Sequence, residues 1–361
     1  MNTGSNTSFP FISRERFLIA GPCSAESRVQ VLETARYLSA LPQMAVYRAG
    51  VWKPRTRPGQ FEGFGKKALP WLQEVKKQTG LKVAVEVAQA GHVEAALNAG
   101  MDILWIGART VVNPFSVQEI ASALKNSPVP VMVKNPVNPD LNLWLGAIER
   151  LKESGVSQVA AIHRGFYFFD ESPYRNAPMW EIPIELKRRF PDLKIITDPS
   201  HICGTVEKIP EIAQKALDLE MDGLMLETHP QPDMAITDAA QQLSFQQLSS
   251  LLDNLQLRQV IVNSRYSDRL SKLRLEVDKI DRELLEILAR RMEIIREIGE
   301  YKRSRQITIL QSDRFREMVR TRLNEADNFK LNKSFLLKLL QQIHQESIRQ
   351  QQKIFNRKQE Q

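Results

Sequence analysis

At 361 residues the chain exceeds one ordinary domain, and two domains are the natural expectation. Its 42% apolar and 25% charged residues belong to a globular protein with a substantial core, and a net charge of +8 suits anionic ligands. That charge is too dispersed for a nucleic-acid partner, two cysteines exclude a disulfide framework, and no apolar run could span a membrane, so a cytoplasmic location is expected.

Eight short apolar runs follow one another through the first two-thirds of the chain, each ending on a reactive polar group. RFLIAGPC ends at Cys23, MAVYRAG carries Arg48 with Lys53 just beyond, KVAVEV carries Glu86, and DILWIGAR ends at Arg109. VPVMVK ends at Lys134, SQVAAIHR at His163 and Arg164, LKIITDPSH at Asp198 and His201, and DGLMLE at Glu227. Runs rich in Val, Ile and Leu without alternation are buried on both faces, as in a parallel sheet. Stretches of helical length, such as VQVLETARYLSAL, separate them. Eight such units in roughly 240 residues predict an α/β fold, a (β/α)8 TIM barrel over residues 1–255, with its active site at the C-terminal strand ends.

Those ends carry a distinctive inventory. Cys23, His201, Glu227 and, in the loop beyond, Asp238 make a mixed donor set for a divalent metal ion such as Mn, Fe, Co or Zn. A lone Cys is usually a small buried hydrophobe and a lone His often only caps a helix, but four ligand types on one rim argue for a metal. Cys203 and His229 stand close enough in sequence to be alternatives. KPRTR at 53–57 sets Lys53, Arg55, Thr56 and Arg57 in one loop, and Arg109, Lys134 and Arg164 add single cations at three further strand ends. Cations gathered at a barrel mouth lose solvation unless they meet anions, which points to a phosphate with a carboxylate or a second phosphate. Salt bridges to Glu62, Glu86 or Asp198 are the competing explanation for one or two of them.

AGPCS at 20–24, KPRT at 53–56, IGAR at 106–109, TDPSH at 197–201 and LETHP at 226–230 together resemble the metal-dependent 3-deoxy-D-arabino-heptulosonate 7-phosphate (DAHP) synthases, in the branch shared with the 3-deoxy-octulosonate 8-phosphate synthases. The resemblance implies condensation of phosphoenolpyruvate with a phosphorylated aldose at the entry to the shikimate pathway. It assigns Cys23, His201, Glu227 and Asp238 to the metal, and Lys53, Arg109, Lys134 and Arg164 to phosphoenolpyruvate, with Arg48 among the substrate-binding cations. Arg55 and Thr56 would hold the aldose phosphate, and Asp198 would sit near the sugar or metal-bound water, catalytic together with Lys53. KPRT, in place of the Asn-Arg-Ser element of the octulosonate enzymes, favours erythrose 4-phosphate over arabinose 5-phosphate. VKNPVNPD departs from the usual context after Lys134.

Beyond a polar linker at 256–267 the pattern changes. From about Asp268 to Arg303 the sequence reads as one helix, with Leu273, Val277, Ile280, Leu284, Ile287, Ile294 and Ile298 in alternating steps of three and four. At 1.5 Å per residue it would be about 50 Å long, too long for one small domain to cover, which predicts an intertwined homodimer or higher homo-oligomer. Helices near Asp313–Ala326 and Lys333–Lys353 complete an all-α three-helix domain over 268–355, followed by a basic tail at 356–361. Arg291 falls on the apolar seam, and Lys302, eleven residues on, lies about 20° away around the same helix. Both call for a buried anion, unless they snorkel to solvent.

This segment resembles the all-helical chorismate mutases, LRLEVDKIDRELLEILARR matching their first helix without a gap. The resemblance assigns Arg274, Arg291, Lys302 and Arg314 to the carboxylates and ether oxygen of chorismate, with Arg274 reaching into the partner's site. Ser347 and Gln351 match polar positions on the last helix, Gln351 near the ether oxygen. Arg291, Lys302 and Gln351 would be the catalytic groups. Gln311 and Phe315 stand where acidic residues are frequent, and the missing carboxylate would weaken the grip on the substrate hydroxyl. The expectation is a bifunctional transferase and isomerase whose barrel is feedback-controlled through the helical domain. The alternative is a synthase whose helical domain serves only as a sensor and dimer clamp.

Overall fold

The computed structural model describes residues 9–55, 57–169, 171–258 and 264–357. It divides into two compact units, Met1–Val260 and Ile261–Gln361. In the first unit eight parallel strands close into a barrel in sequence order: β1 Leu18–Gly21, β2 Met44–Ala49, β3 Lys82–Val87, β4 Ile103–Ile106, β5 Val131–Lys134, β6 Val159–His163, β7 Ile195–Thr197 and β8 Gly223–Glu227. β8 returns to β1 with Leu18 opposite Leu224 and Gly21 opposite Glu227. All eight expected runs are strands, because their β-branched and Leu side chains are buried both inside the barrel and beneath the surrounding helices.

The inner core is built from residues such as Ile19, Val46, Trp105, Met132, Ile162 and Ile196, and it includes Phe9 and Ile12 from ahead of β1. The N-terminal segment therefore closes one mouth of the barrel. At the opposite mouth, Gly21 permits an approach no side chain would allow: a Cβ there would lie 1.9 Å from the Arg48 carbonyl oxygen. This contact brings the end of β1, and Cys23 just beyond it, alongside β2.

The second unit is all helical, with helices Ser264–Ser304, Ser312–Glu325 and Lys333–Phe355. The long helix starts inside the stretch read as a linker. Apolar spacing marks only where a helix buries a face, whereas helical hydrogen bonding runs on through a polar turn that lacks Gly and Pro. Residues 259–263 of that stretch and 358–361 of the expected tail lie outside the described residues. The long helix packs on the Lys333–Phe355 helix where Gly299 leaves room; a Cβ there would meet Ile354 Cδ1 at 2.9 Å. Its seam stays uncovered, with Val277, Ile280 and Ile287 55%, 62% and 65% exposed. Among the described residues no helix is long and apolar enough to cross a membrane.

Candidate active site and metal centre

A cavity of about 490 Å³ opens at the C-terminal ends of the strands. Lys53, Arg55, Arg109, Lys134, Arg164 and Arg175 line it, together with Glu86, His201 and Asp238. Thr56 lies outside the described residues. Arg48 does not line the cavity. Its side chain is 1% exposed, bound to Glu227 Oε1 at 2.8 Å and to the Cys23 carbonyl oxygen at 3.1 Å, and its guanidinium lies over the Trp105 ring.

The four expected ligands come as two pairs. Cys23 Sγ lies 3.4 Å from Asp238 Oδ2, and His201 Nε2 lies 3.8 Å from Glu227 Oε1. Each acid group has an attendant cation: Lys53 Nζ donates to Cys23 Sγ at 2.9 Å, Arg175 to Asp238 Oδ1 at 3.0 Å, and Arg48 to Glu227. Among the described residues no three such side chains are gathered tightly enough to enclose an ion. In kind, the set of thiol, imidazole and two carboxylates suits a divalent transition ion. The alternatives fit less well: His229 accepts from the Gln231 N–H and faces Glu26 at 3.7 Å, and Cys203 does not line the cavity.

The electrostatics sort the protonation states. Burial, reinforced by Glu227, pushes the Cys23 thiol up to about 12. Burial also opposes the ionisation of Asp198, but His201 and Lys134 outweigh it and hold that carboxyl well below its usual range. Glu227 is likewise lowered, because His201, Arg48 and Lys53 overcome its burial. Burial lowers His201 against the pull of Asp198 and Glu227 on its proton, and the imidazole can ligate once that proton is lost. Its Nδ1 lies 2.8 Å from Asp198 Oδ2, too poorly aligned for a hydrogen bond. Lys134 donates to the same oxygen at 2.8 Å, so this cation has an internal partner. Burial lowers Arg164 to about 10, and its Nη1 donates to Asn176 Oδ1 at 2.7 Å.

Several residues of this network carry no signal in the apolar runs. Asn135, in the unusual VKNPVNPD loop, accepts from the Arg164 N–H and donates to the Gly165 carbonyl, fixing the cation's backbone. Gln241 donates to Glu227 Oε2 at 2.7 Å and accepts from Arg175 at 2.8 Å. Gln242 accepts from the Cys23 N–H at 3.0 Å. This Gln-Gln pair joins all the segments that bear the acid ligands. The pairing of two buried amides three and four residues after Asp238 was the available clue.

In the helical unit Arg291 donates to Ser347 Oγ at 2.7 Å. Gln351 Nε2 donates to the Ser347 carbonyl at 3.3 Å, while its buried Oε1 has no partner among the described residues. Lys302 is buried and donates to the Ile309 carbonyl at 2.7 Å. Arg314 is exposed and paired with Glu317 at 2.8 Å, and Arg274 is exposed on the long helix. One chain thus brings together Arg291, Ser347 and Gln351, and leaves Arg274 and Arg314 outside these contacts.

The DAHP synthetase I family pattern matches residues 13–263, and the chorismate mutase type II pattern matches residues 273–352. Phospho-2-dehydro-3-deoxyheptonate aldolase of Thermotoga maritima is 31% identical over 238 residues, covering 66% of this chain and 68% of that protein. A 2-dehydro-3-deoxyphosphooctonate aldolase of Legionella pneumophila is 29% identical, covering 68% of this chain and 92% of its own length. The crystal structure of the Thermotoga maritima DAHP synthase superposes with a TM-score of 0.61 at 31% identity, covering 67% of this chain and 69% of that one.

Proposed function

Since the chain belongs to the DAHP synthetase I family and carries a chorismate mutase type II domain after its barrel, a pairing that makes it a bifunctional shikimate-pathway enzyme, we propose specific roles for the residues at its two sites. The barrel condenses phosphoenolpyruvate with erythrose 4-phosphate, and the helical unit rearranges chorismate to prephenate. The observation that carries the first role is the cavity that Lys53, Arg55, Arg109, Lys134, Arg164 and Arg175 line together with His201 and Asp238, with the Cys23 thiol against Lys53 and Asp238 and Glu227 near His201.

Lys53, Arg109, Lys134 and Arg164 hold the enol phosphate and its carboxylate, supplying charge and orientation. Arg55, at the outer rim, takes the aldose phosphate. Held this way, the methylene carbon of phosphoenolpyruvate meets the aldehyde carbon. The new carbon–carbon bond leaves positive character on the neighbouring carbon, water adds there, and phosphate departs. Asp198 stays anionic beside Lys134 and can orient a water or sugar hydroxyl. DAHP synthases are generally metal-dependent, and Cys23, His201, Glu227 and Asp238 would hold the ion here. When bound, a divalent ion supplies Lewis acidity toward the aldehyde. KPRT supports erythrose 4-phosphate; competition between erythrose 4-phosphate and arabinose 5-phosphate, followed by loss of phosphoenolpyruvate absorbance, tests it.

In the helical unit Arg291 and Lys302 face the substrate's anionic groups, and Gln351 its ether oxygen. The rearrangement is unimolecular, so holding the compact conformer and stabilising charge on that oxygen suffices. Loss of chorismate absorbance should be rapid with the full chain and at least 100-fold slower with Arg291→Ala, an estimate of the order seen for removing one preorganised donor. The uncovered seam supports a homodimer, and the free buried cysteines fit a cytoplasmic location. Prephenate bound at the helical unit lowers the synthase rate in this reading.

A further inference from the structure

The helical unit contains a polar atom for which the roles above have no use. His344 lies on the Lys333–Phe355 helix, one turn before Ser347 and two before Gln351, on the same face. Its ring stacks flat on Phe315 of the Ser312–Glu325 helix, with centroids 3.9 Å apart and planes 16° apart. Stacking fixes the ring plane, and so fixes where its edge points. At that edge Nε2 is shut off from solvent and has no hydrogen-bond partner among the described residues. Leaving such an atom unmatched costs free energy, so it is a place where a ligand atom is expected. Burial, with Arg291 and Lys302 nearby, depresses the imidazole and keeps it neutral.

We infer that His344 is a positioning residue of the helical site, and that its Nε2 exchanges a hydrogen bond with the ring hydroxyl of chorismate. The inference rests on the mutase reading. Chorismate presents two carboxylates, an ether oxygen and one hydroxyl. The carboxylates call for cations, which Arg291 and Lys302 supply, and the ether oxygen calls for a donor such as Gln351. The hydroxyl is left over, because the acidic residue that would grip it is replaced by Gln311 and Phe315 in this chain. A hydroxyl both donates and accepts, so it satisfies either tautomer of the ring. Phe315, with no polar atom of its own, holds the imidazole in place.

Three variants of the full chain separate this role from packing. His344→Phe keeps an aromatic ring against Phe315 and deletes the nitrogen. His344→Gln returns a polar group near the position of Nε2, and His344→Ala removes ring and nitrogen together. The contact is made in ground and transition states alike, so His344→Phe should raise KM for chorismate about 10-fold while kcat changes less than about 2-fold. His344→Gln should recover most of that loss, and His344→Ala should be no better than His344→Phe. With a chorismate analogue lacking the ring hydroxyl, wild type and His344→Phe should become equal.

An unchanged KM in His344→Phe overturns the inference and leaves the mutase reading standing. So does a loss that persists with the deoxy analogue, or one that Gln does not relieve. If wild type fails to turn over chorismate yet binds prephenate by titration calorimetry, and His344→Phe binds it about 10-fold more weakly, the mutase reading falls and the hydroxyl contact stands. If wild type binds neither compound, both fall.

Discussion

Arg48 and Glu227 are 1% and 0% exposed and 2.8 Å apart, deep beneath the cavity. Deleting one member of such a pair strands the other charge in a medium that solvates it poorly. Arg48→Ala should therefore lower barrel stability by about 3–5 kcal/mol, read from denaturation midpoints. His163 gives a pH prediction. Burial depresses it to about 4, its Nε2–H donates to the Pro178 carbonyl, and its buried Nδ1 has no partner among the described residues to receive a second proton. The unfolded imidazole binds its proton near pH 6.5, so this residue's contribution is fully present above that pH. It is lost as pH falls toward 4, amounting to about 2–3 kcal/mol by pH 4.5. His163→Phe should flatten that part of the stability curve. Gln241 holds Glu227 and, through Arg175, Asp238; Gln241→Ala should weaken binding of the divalent ion by about 10–100-fold, measured by competition with a chelator. Cys23, Asp198, His201 and Glu227 were legible because each closes an apolar run. Arg175, Asn176 and Gln241 were not, because they sit in loops where only folding determines what a polar side chain meets.

The barrel strands declare themselves through composition, since a strand buried on both faces must be apolar at every position. Helix limits are less legible, as the start of the long helix at Ser264 shows. The N-terminal segment was not recognisable as a barrel plug, because Phe9 and Ile12 follow no period and their burial depends on an opening that exists only once the strands close. The long helix carries its own test. Ile280 and Ile287 project from the seam, and fully burying such side chains contributes about 1.5–3 kcal/mol each. On the proposed homodimer, Ile280→Asp with Ile287→Asp should leave a monomer in sedimentation where the unchanged chain gives a dimer, and chorismate turnover should fall with it.

For the whole molecule, two chemistries share one chain but not one fold. In the proposed roles the barrel works through charge fixed at strand ends, the helical unit through polar groups on facing helices such as Arg291 and Ser347. If the units communicate, prephenate must bind one synthase state better than another, since a ligand moves an equilibrium only by its differential affinity. An inhibition of synthase rate by prephenate that disappears in Arg291→Ala is the expected result, and rates indifferent to prephenate in wild type would remove the regulatory reading.

The uncovered seam of the long helix also has a bearing on biosynthesis. The helix follows the barrel in chain order, and residues 261–361 take roughly 5–20 s to translate at typical rates. During that interval the barrel strands are already free of the ribosome and can bury their own apolar surface. By the time the apolar stripe emerges the barrel's hydrophobic runs are already put away, and in the proposed homodimer it is the matching stripe of another finished chain that covers it.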